Sequence, residues 1–336
     1  MPDQAWNTFL ELLRAGLWEQ DLRLAAVPDT AGWEQVIQLG REQAVMGVVL
    51  RGIAHLPEDQ RPPEALQQVL QAWQTAFSRA SARYAHVQET LLAQLGAAGL
   101  QPLVQKGTES AKYYADPSIR QAGDIDLFLP EGMDSFVGTL SGPCRKAADG
   151  SVVFFSEGVT VELHPRYYDI HLSPARLPAP GTPCGELLLL SSHIFKHAIG
   201  HGVGCKQLCD LTRALTVLEG RYSKQELAAA LRRAGLLRWH TLLCSLLVAD
   251  FGLDPARCLP GFRPVDPASL RTLVRTGGNF GMASAARRRS RQKDTLGKKT
   301  ATAGSFLRRL PFSLRYGARE TFATMWELAL GNLRKR

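Results

Sequence analysis

The chain has 336 residues, 45% of them hydrophobic, which is enough apolar mass for one large or two ordinary domains and excludes disorder throughout. Its formal charge of +9 is unevenly placed: residues 287–336 carry 14 Lys and Arg against 3 Asp and Glu, a net +11 that leaves −2 on the first 286. No apolar run approaches the roughly 20 residues that cross a bilayer, no signal-peptide pattern opens the chain, and six scattered cysteines exclude a disulfide framework, so a cytoplasmic protein with reduced thiols is expected.

The opening residues have the pattern of an amphipathic helix, and the pattern stays helical to about residue 100. Leu66, Val69, Leu70, Trp73 and Phe77 recur at spacings of three and four, which predicts a long helix from Pro63 to about Leu95. Pro62 and Pro63 suit its start, and Gly96 with Gly99 its end. The character then changes. Residues 102–105 form a short buried strand, Gly107 a turn, Thr108 to Tyr114 a short helix, and Asp124 to Leu129 an alternating strand. A helix over 132–141 and a hairpin of strands 151–156 and 159–164, turning at Glu157-Gly158, complete a small mixed unit. Helices follow near 185–199, 206–218, 223–234 and 238–251. Residues 287–303 lack apolar periodicity and suggest an exposed loop, with a last amphipathic helix over 319–333. The expected class is α+β: a small mixed sheet flanked by N-terminal and C-terminal helical regions. Its parts are residues 1–100, 101–184, 185–286 and a basic end, 287–336.

Side chains alternate along a strand, so Asp124 and Asp126 share one face while Ile125, Leu127 and Leu129 take the other. Two adjacent carboxylates repel unless a cation lies between them, and Mg²⁺, with Mn²⁺ as an alternative, suits oxygen donors. On the second hairpin strand Val159, Val161 and Leu163 form the apolar face, leaving Thr160, Glu162 and His164 on the other. If that strand lies beside the Asp strand, Glu162 completes a set able to hold two divalent ions for phosphate chemistry. Upstream, Lys106-Gly107-Thr108 joins a strand to a helix, where a glycine lets phosphate approach the backbone and the N–H groups at the helix start favour an anion. Arg120, just before Gly123-Asp124, offers a fork of donors to phosphate, or else an ion pair with Asp116 or Asp124.

The runs LVQKGTESAKYYADPSIRQAGDIDLFLP, VTVELHPRYY and SSHIFKHAIGHGV followed by CDLTRAL resemble the uncharacterised nucleotidyltransferase group of the polymerase-β superfamily. The superfamily signature is a strand, Gly-Ser or a variant, a helix, Asp-x-Asp on the next strand and a third acid on a later one. Gly107-Thr108, Asp124-x-Asp126 and Glu162 occupy those places, with Thr for the usual serine and Glu where many members have Asp. The resemblance implies an enzyme that moves a nucleoside monophosphate from an NTP, ATP foremost, to an acceptor hydroxyl with release of pyrophosphate. It implies catalytic and metal-holding roles for Asp124, Asp126 and Glu162, and nucleotide contacts from Lys106, Gly107, Thr108, Arg120 and His164. It also implies that His193, Lys196, His197 and Asp210 line a helical wall of the cleft.

Two alternatives stand beside this reading: a catalytically silent nucleotide- or RNA-binding module, and transfer of the terminal phosphate on the same scaffold. The acceptor is open among tRNA, protein or peptide, and small molecules. His193, His197, His201, Cys205 and Cys209 recur every four residues, a stripe that can suggest zinc, but Gly200, Gly202 and Gly204 break the helix that would align them. In the basic end, aromatic residues interleave with arginines, a pattern compatible with a solvated charged segment, with RNA or with anionic lipid.

Overall fold

The computed structural model describes residues 2–147, 149–200, 202–283 and 295–333. The N-terminal helices α1 (Pro2–Trp18), α2 (Thr30–Glu42) and α3 (Met46–Ala54) precede the long α4 (Glu64–Ala97). The mixed unit contains β1 (Leu103–Gln105), α5 (Gly107–Ala111), β2 (Ile125–Phe128), α6 (Met133–Gly138), β3 (Arg145–Lys146), β4 (Val152–Ser156) and β5 (Val159–His164). Helices α7 (Pro183–Ile199), α8 (Cys205–Val217), α9 (Lys224–Ala234), α10 (Leu237–Phe251), α11 (Ala268–Gly277) and α12 (Thr295–Leu333) follow. This is the α+β class expected from the sequence.

The strands form one sheet in the order β1-β2-β5-β4-β3, with β2 and β5 parallel and every other pair antiparallel. Strand alternation divides the two faces. Ile125, Leu127, Val152, Phe154, Val159, Val161 and Leu163 pack under the sheet against Val87, Leu91 and Leu95 of α4 and Phe136 of α6. The opposite face carries the polar side chains. The turn between β4 and β5 places Glu157 and Gly158 both at positive φ, the backbone of a two-residue hairpin whose twist matches its strands.

A second core joins residues far apart in the chain: Phe9, Leu12 and Leu13 of α1, Val48 and Val49 of α3, and Leu187, Leu208, Leu211, Trp239 and Leu243 from α7, α8 and α10. Helices α1 and α3 cross so closely that a β-carbon added at Gly16 would lie 2.0 Å from the Val48 carbonyl oxygen, and one at Gly52 2.0 Å from that of Leu12. Only glycine fits that crossing. The same α3 presses on the loop before β2, where Gln121 Oε1 accepts the Met46 N–H at 2.8 Å. N-terminal helices therefore brace the loop that leads into the carboxylate strand.

The end of the chain differs from the expected loop. From Thr295 it is helical, merging across a kink at Gly317 with the expected terminal helix; residues 287–294 and 334–336 lie outside the described residues. The segment containing Phe306 packs into the second core, and once a helix is nucleated each added residue gains a hydrogen bond, so the weakly patterned residues upstream can extend it. Among the described residues no helix is long and apolar enough to cross a membrane.

Candidate active site

The site begins at the turn after β1. Lys106 has φ 42° and Gly107 φ 31°, so the chain reverses through two residues in the left-handed half of φ/ψ space. A β-carbon at Gly107 would stand 2.9 Å from the Asp124 carbonyl oxygen and 3.5 Å from Asp126 Oδ2. The missing side chain is what allows the turn to lie against the carboxylate strand. Helix α5 is shorter than expected, five residues, so its peptide dipoles sum to little and the turn's own N–H groups matter more than a helix end. Thr108 donates its hydroxyl to Gln88 of α4.

Strand register then assembles the acids. Asp126 lies between Gln105 on β1 and Glu162 on β5, its direct neighbours in the two pairings, and His164 follows two positions along on the same face as Glu162. His164 Nε2 is 2.7 Å from Asp126 Oδ1 and 3.7 Å from Glu162 Oε2. Lys106 Nζ lies 3.7 Å from Asp126 Oδ1 and 3.7 Å from Asp169 Oδ2. Asp124 directly precedes the paired part of β2.

Electrostatics separate the three acids. Burial alone would raise the Asp126 pKa, but Lys106 and the hydrogen bond from His164 outweigh it and hold this carboxylate well below its usual range. Asp124 is pushed up by burial and then by Asp126, against the pull of Lys206, Lys106 and Arg120. Glu162 is raised by burial and by both aspartates. The ionised Asp126 thus opposes charge on both of its acidic neighbours.

A helical wall faces these strands. Asp169, in the loop after β5, accepts from His193 Nδ1 at 2.9 Å and from Lys196 Nζ at 2.8 Å. Burial opposes its ionisation, yet Lys106, the His193 hydrogen bond and Lys196 hold its pKa far below the ordinary value. The ring nitrogens His193 Nε2 and His197 Nε2 are 2.9 Å apart, and the His197 ring stands edge-on to Phe280, which itself has φ 49°. Burial lowers the pKa of both histidines, with Lys106 adding to the effect on each. Lys206 of α8 approaches the Asp124 loop, 3.5 Å from the place a Gly123 β-carbon would occupy. Burial and then Arg120 push its pKa down to about 8, against the opposing pull of Asp210, Asp124 and Asp126.

Lys106, Gly107, Thr108, Asp124, Asp126, Glu162 and His164 thus come together, and Lys196 and His197 stand on the facing wall. Arg120 does not reach the cleft as a free fork: it is 6% exposed and bonds Asp210 through both Nε and Nη2, at 2.7 and 2.8 Å. Its partner is Asp210, not the nearby Asp116 or Asp124, because Asp210 projects from α8 into the same buried space and also accepts the Tyr114 hydroxyl at 2.8 Å. Asp210 is accordingly a buried anchor behind the wall. The histidine–cysteine stripe does not converge. Cys205 and Cys209 are fully buried on α8, their thiol pKa values raised by burial, and His201 lies outside the described residues.

Two residues escaped sequence reasoning. Asp169 lies in irregular chain with no periodicity to reveal its direction. Lys206 had a usable signal, because it stands four residues before Asp210 on a helix and so shares its face.

Among the described residues, Asp126, Glu162 and His164 are the group of potential metal-binding side chains whose donor atoms all fall within 4.8 Å of one another. No curated protein and no solved structure matches the chain. A family model does: the one described as uncharacterised nucleotidyltransferase matches residues 29–180, a stretch that holds the Lys106–Thr108 turn and all three acids but ends before α7 and α8. With that match and the α+β sheet beneath it, residues 29–180 of this chain are similar to the uncharacterised nucleotidyltransferase family, which supports reading the protein as a nucleotidyltransferase.

Proposed function

We propose that the protein transfers a nucleoside monophosphate from an NTP, ATP foremost, to an acceptor hydroxyl, using Asp124, Asp126 and Glu162 to hold two divalent cations. The observation that carries this reading is the register: Asp126 and Glu162 are direct neighbours across parallel β2 and β5, with the Lys106–Gly107 turn pressed against them. The donor set fits Mg²⁺ or Mn²⁺, because it is rich in carboxylate oxygen and its buried acids repel one another. Such ions, when bound, neutralise charge on the phosphates and on the attacking oxygen.

The chain's own residues supply the rest. Lys106, now between Asp126 and Asp169, turns its ammonium to the triphosphate, and the backbone N–H groups of Gly107 and Thr108 donate to phosphate oxygens. Lys196 and Lys206 add positive charge from the facing helices. An acceptor oxygen forms a bond to the α-phosphorus as the bond from that phosphorus to the β-bridging oxygen breaks, pyrophosphate departs, and the acceptor proton passes to Glu162.

For the acceptor, α12 offers one pointer. Arg309 Nη1 donates to the Ala198 and Gly200 carbonyls, so this helix of the basic end runs along α7, the helix that carries His193, Lys196 and His197. Phe322 and Trp326 on it are exposed, which favours a polyanion with stackable bases, such as RNA, over a neutral metabolite. The test is incubation with α-³²P-labelled NTPs and Mg²⁺ or Mn²⁺ in a cell extract separated into RNA, protein and small molecules. Label in the RNA fraction that disappears with Asp126→Asn is the expected result; label that survives Asp126→Asn would sink the reading.

A further inference from the structure

The three acids that the sequence nominates are not the three groups whose donor atoms converge. In the structure the convergent set is Asp126, Glu162 and His164, one nitrogen among carboxylates. His164 is fixed there from two directions. Its backbone carbonyl accepts the Leu129 N–H at 2.9 Å, which ties the end of β5 to the end of β2, and strand alternation points its ring to the same face as Glu162. The side chain is 14% exposed, with Nε2 in hydrogen-bond contact with Asp126 Oδ1 at 2.7 Å and 3.7 Å from Glu162 Oε2, so the nitrogen faces the carboxylates rather than solvent.

We infer that His164 is itself a metal ligand, making one of the two cation positions a mixed nitrogen and oxygen site that prefers Mn²⁺ to Mg²⁺. The inference rests on the reading of Asp126 and Glu162 as cation-holding acids and extends it to which ion they hold. Mg²⁺ is hard and takes oxygen donors almost exclusively, whereas a borderline ion gains from imidazole. An imidazole adds no negative charge, so it contributes little to a site that selects by charge alone and more to one that selects by donor type. The competing role for His164 is a hydrogen bond that merely orients Asp126, and that role leaves the nitrogen outside the coordination sphere.

The two roles separate spectroscopically, without any acceptor or nucleotide. The full chain is loaded with one equivalent of Mn²⁺ alone and its electron spin echo modulation recorded, beside His164→Gln, which keeps an oxygen donor of similar reach. Directly coordinated imidazole gives ¹⁴N modulation in the native chain that is lost in His164→Gln, and Mn²⁺ affinity falls by a larger factor than Mg²⁺ affinity, whereas an orienting hydrogen bond gives no ¹⁴N modulation and weakens both ions alike. Absence of ¹⁴N modulation from the native chain with Mn²⁺ bound overturns the inference alone, as does modulation that persists in His164→Gln. A failure of Mn²⁺ to bind overturns the reading of Asp126 and Glu162 as cation-holding acids and the inference with it. The native spectrum decides even if the variant folds poorly, which its circular dichroism would reveal. Because no transfer is measured, ¹⁴N modulation lost in His164→Gln supports the ligand assignment whether or not nucleotide is moved.

Discussion

Arg120 and Asp210, ninety residues apart, are joined by two parallel hydrogen bonds in a buried space, Nε to Oδ1 at 2.7 Å and Nη2 to Oδ2 at 2.8 Å. Arg120 belongs to the loop that feeds β2, and Asp210 to the helix that carries Lys206. This pair therefore ties the loop before the carboxylate strand to the facing cationic wall. Removing one partner strands the other charge in the interior. We expect Arg120→Met to lower stability by about 3–5 kcal/mol, and Arg120→Met with Asp210→Leu to lower it by less than the two single changes added together. Urea denaturation of the three variants checks this; a single-variant loss under about 1 kcal/mol would show the pair to be solvated.

Asp124 carries a cost that its substitution should expose. Burial and the neighbouring Asp126 raise its pKa, so the folded chain disfavours the ionised form that is present at neutral pH. Asp124→Asn removes that penalty, and without divalent cations its melting temperature should exceed that of the native chain by about 2 °C. The stabilisation that Mg²⁺ or Mn²⁺ gives the native chain should be smaller in the same variant, which keeps Asp126, Glu162 and His164. Scanning calorimetry with and without cation reads both. A variant that melts lower and responds to cation as fully as the native chain would contradict the assignment of Asp124 to the cation site.

Lys206 should make nucleotide binding sensitive to alkaline pH. Its pKa is pushed down to about 8 by burial and then by Arg120, so its positive charge is lost as pH rises through that value. The sign for stability is the reverse of that for binding. Between about 8 and 10.5 the unfolded chain holds a proton that the folded chain has released, so unfolding becomes harder as pH rises. Binding of Mg-ATP, which draws on the positive charge, should weaken as pH rises through about 8 and level off at the affinity of Lys206→Met. Calorimetric titration from pH 6.5 to 9.5 measures it, and Lys206→Met should bind more weakly at neutral pH with a flat profile over the same range.

Much of this architecture could be read from periodicity. The long α4, the hairpin at Glu157-Gly158 and the alternation that separates Asp126 from Leu127 are local patterns, each set within a few residues by side-chain spacing or turn geometry. The three acids could be nominated because alternation tells which face a strand residue takes, and the Lys106–Thr108 turn because a glycine joins a strand to a helix there. The helical state of residues 295–303 was not legible, since it depends on packing further along α12 rather than on any pattern of its own.

What the chain order could not reveal is who stands next to whom. That Arg120 meets Asp210, that Asp169 gathers Lys106, Lys196 and His193, and that Lys206 leans toward Asp124 all depend on α7 and α8 folding back over the sheet. By itself the sequence determined the inventory of charged groups and the face each strand residue shows, which are matters of covalent order and backbone period. The tertiary structure alone decided how those charges pair. Pairing energies depend on distances across the core and on how far burial strips away water, and neither is a property of any local stretch of residues.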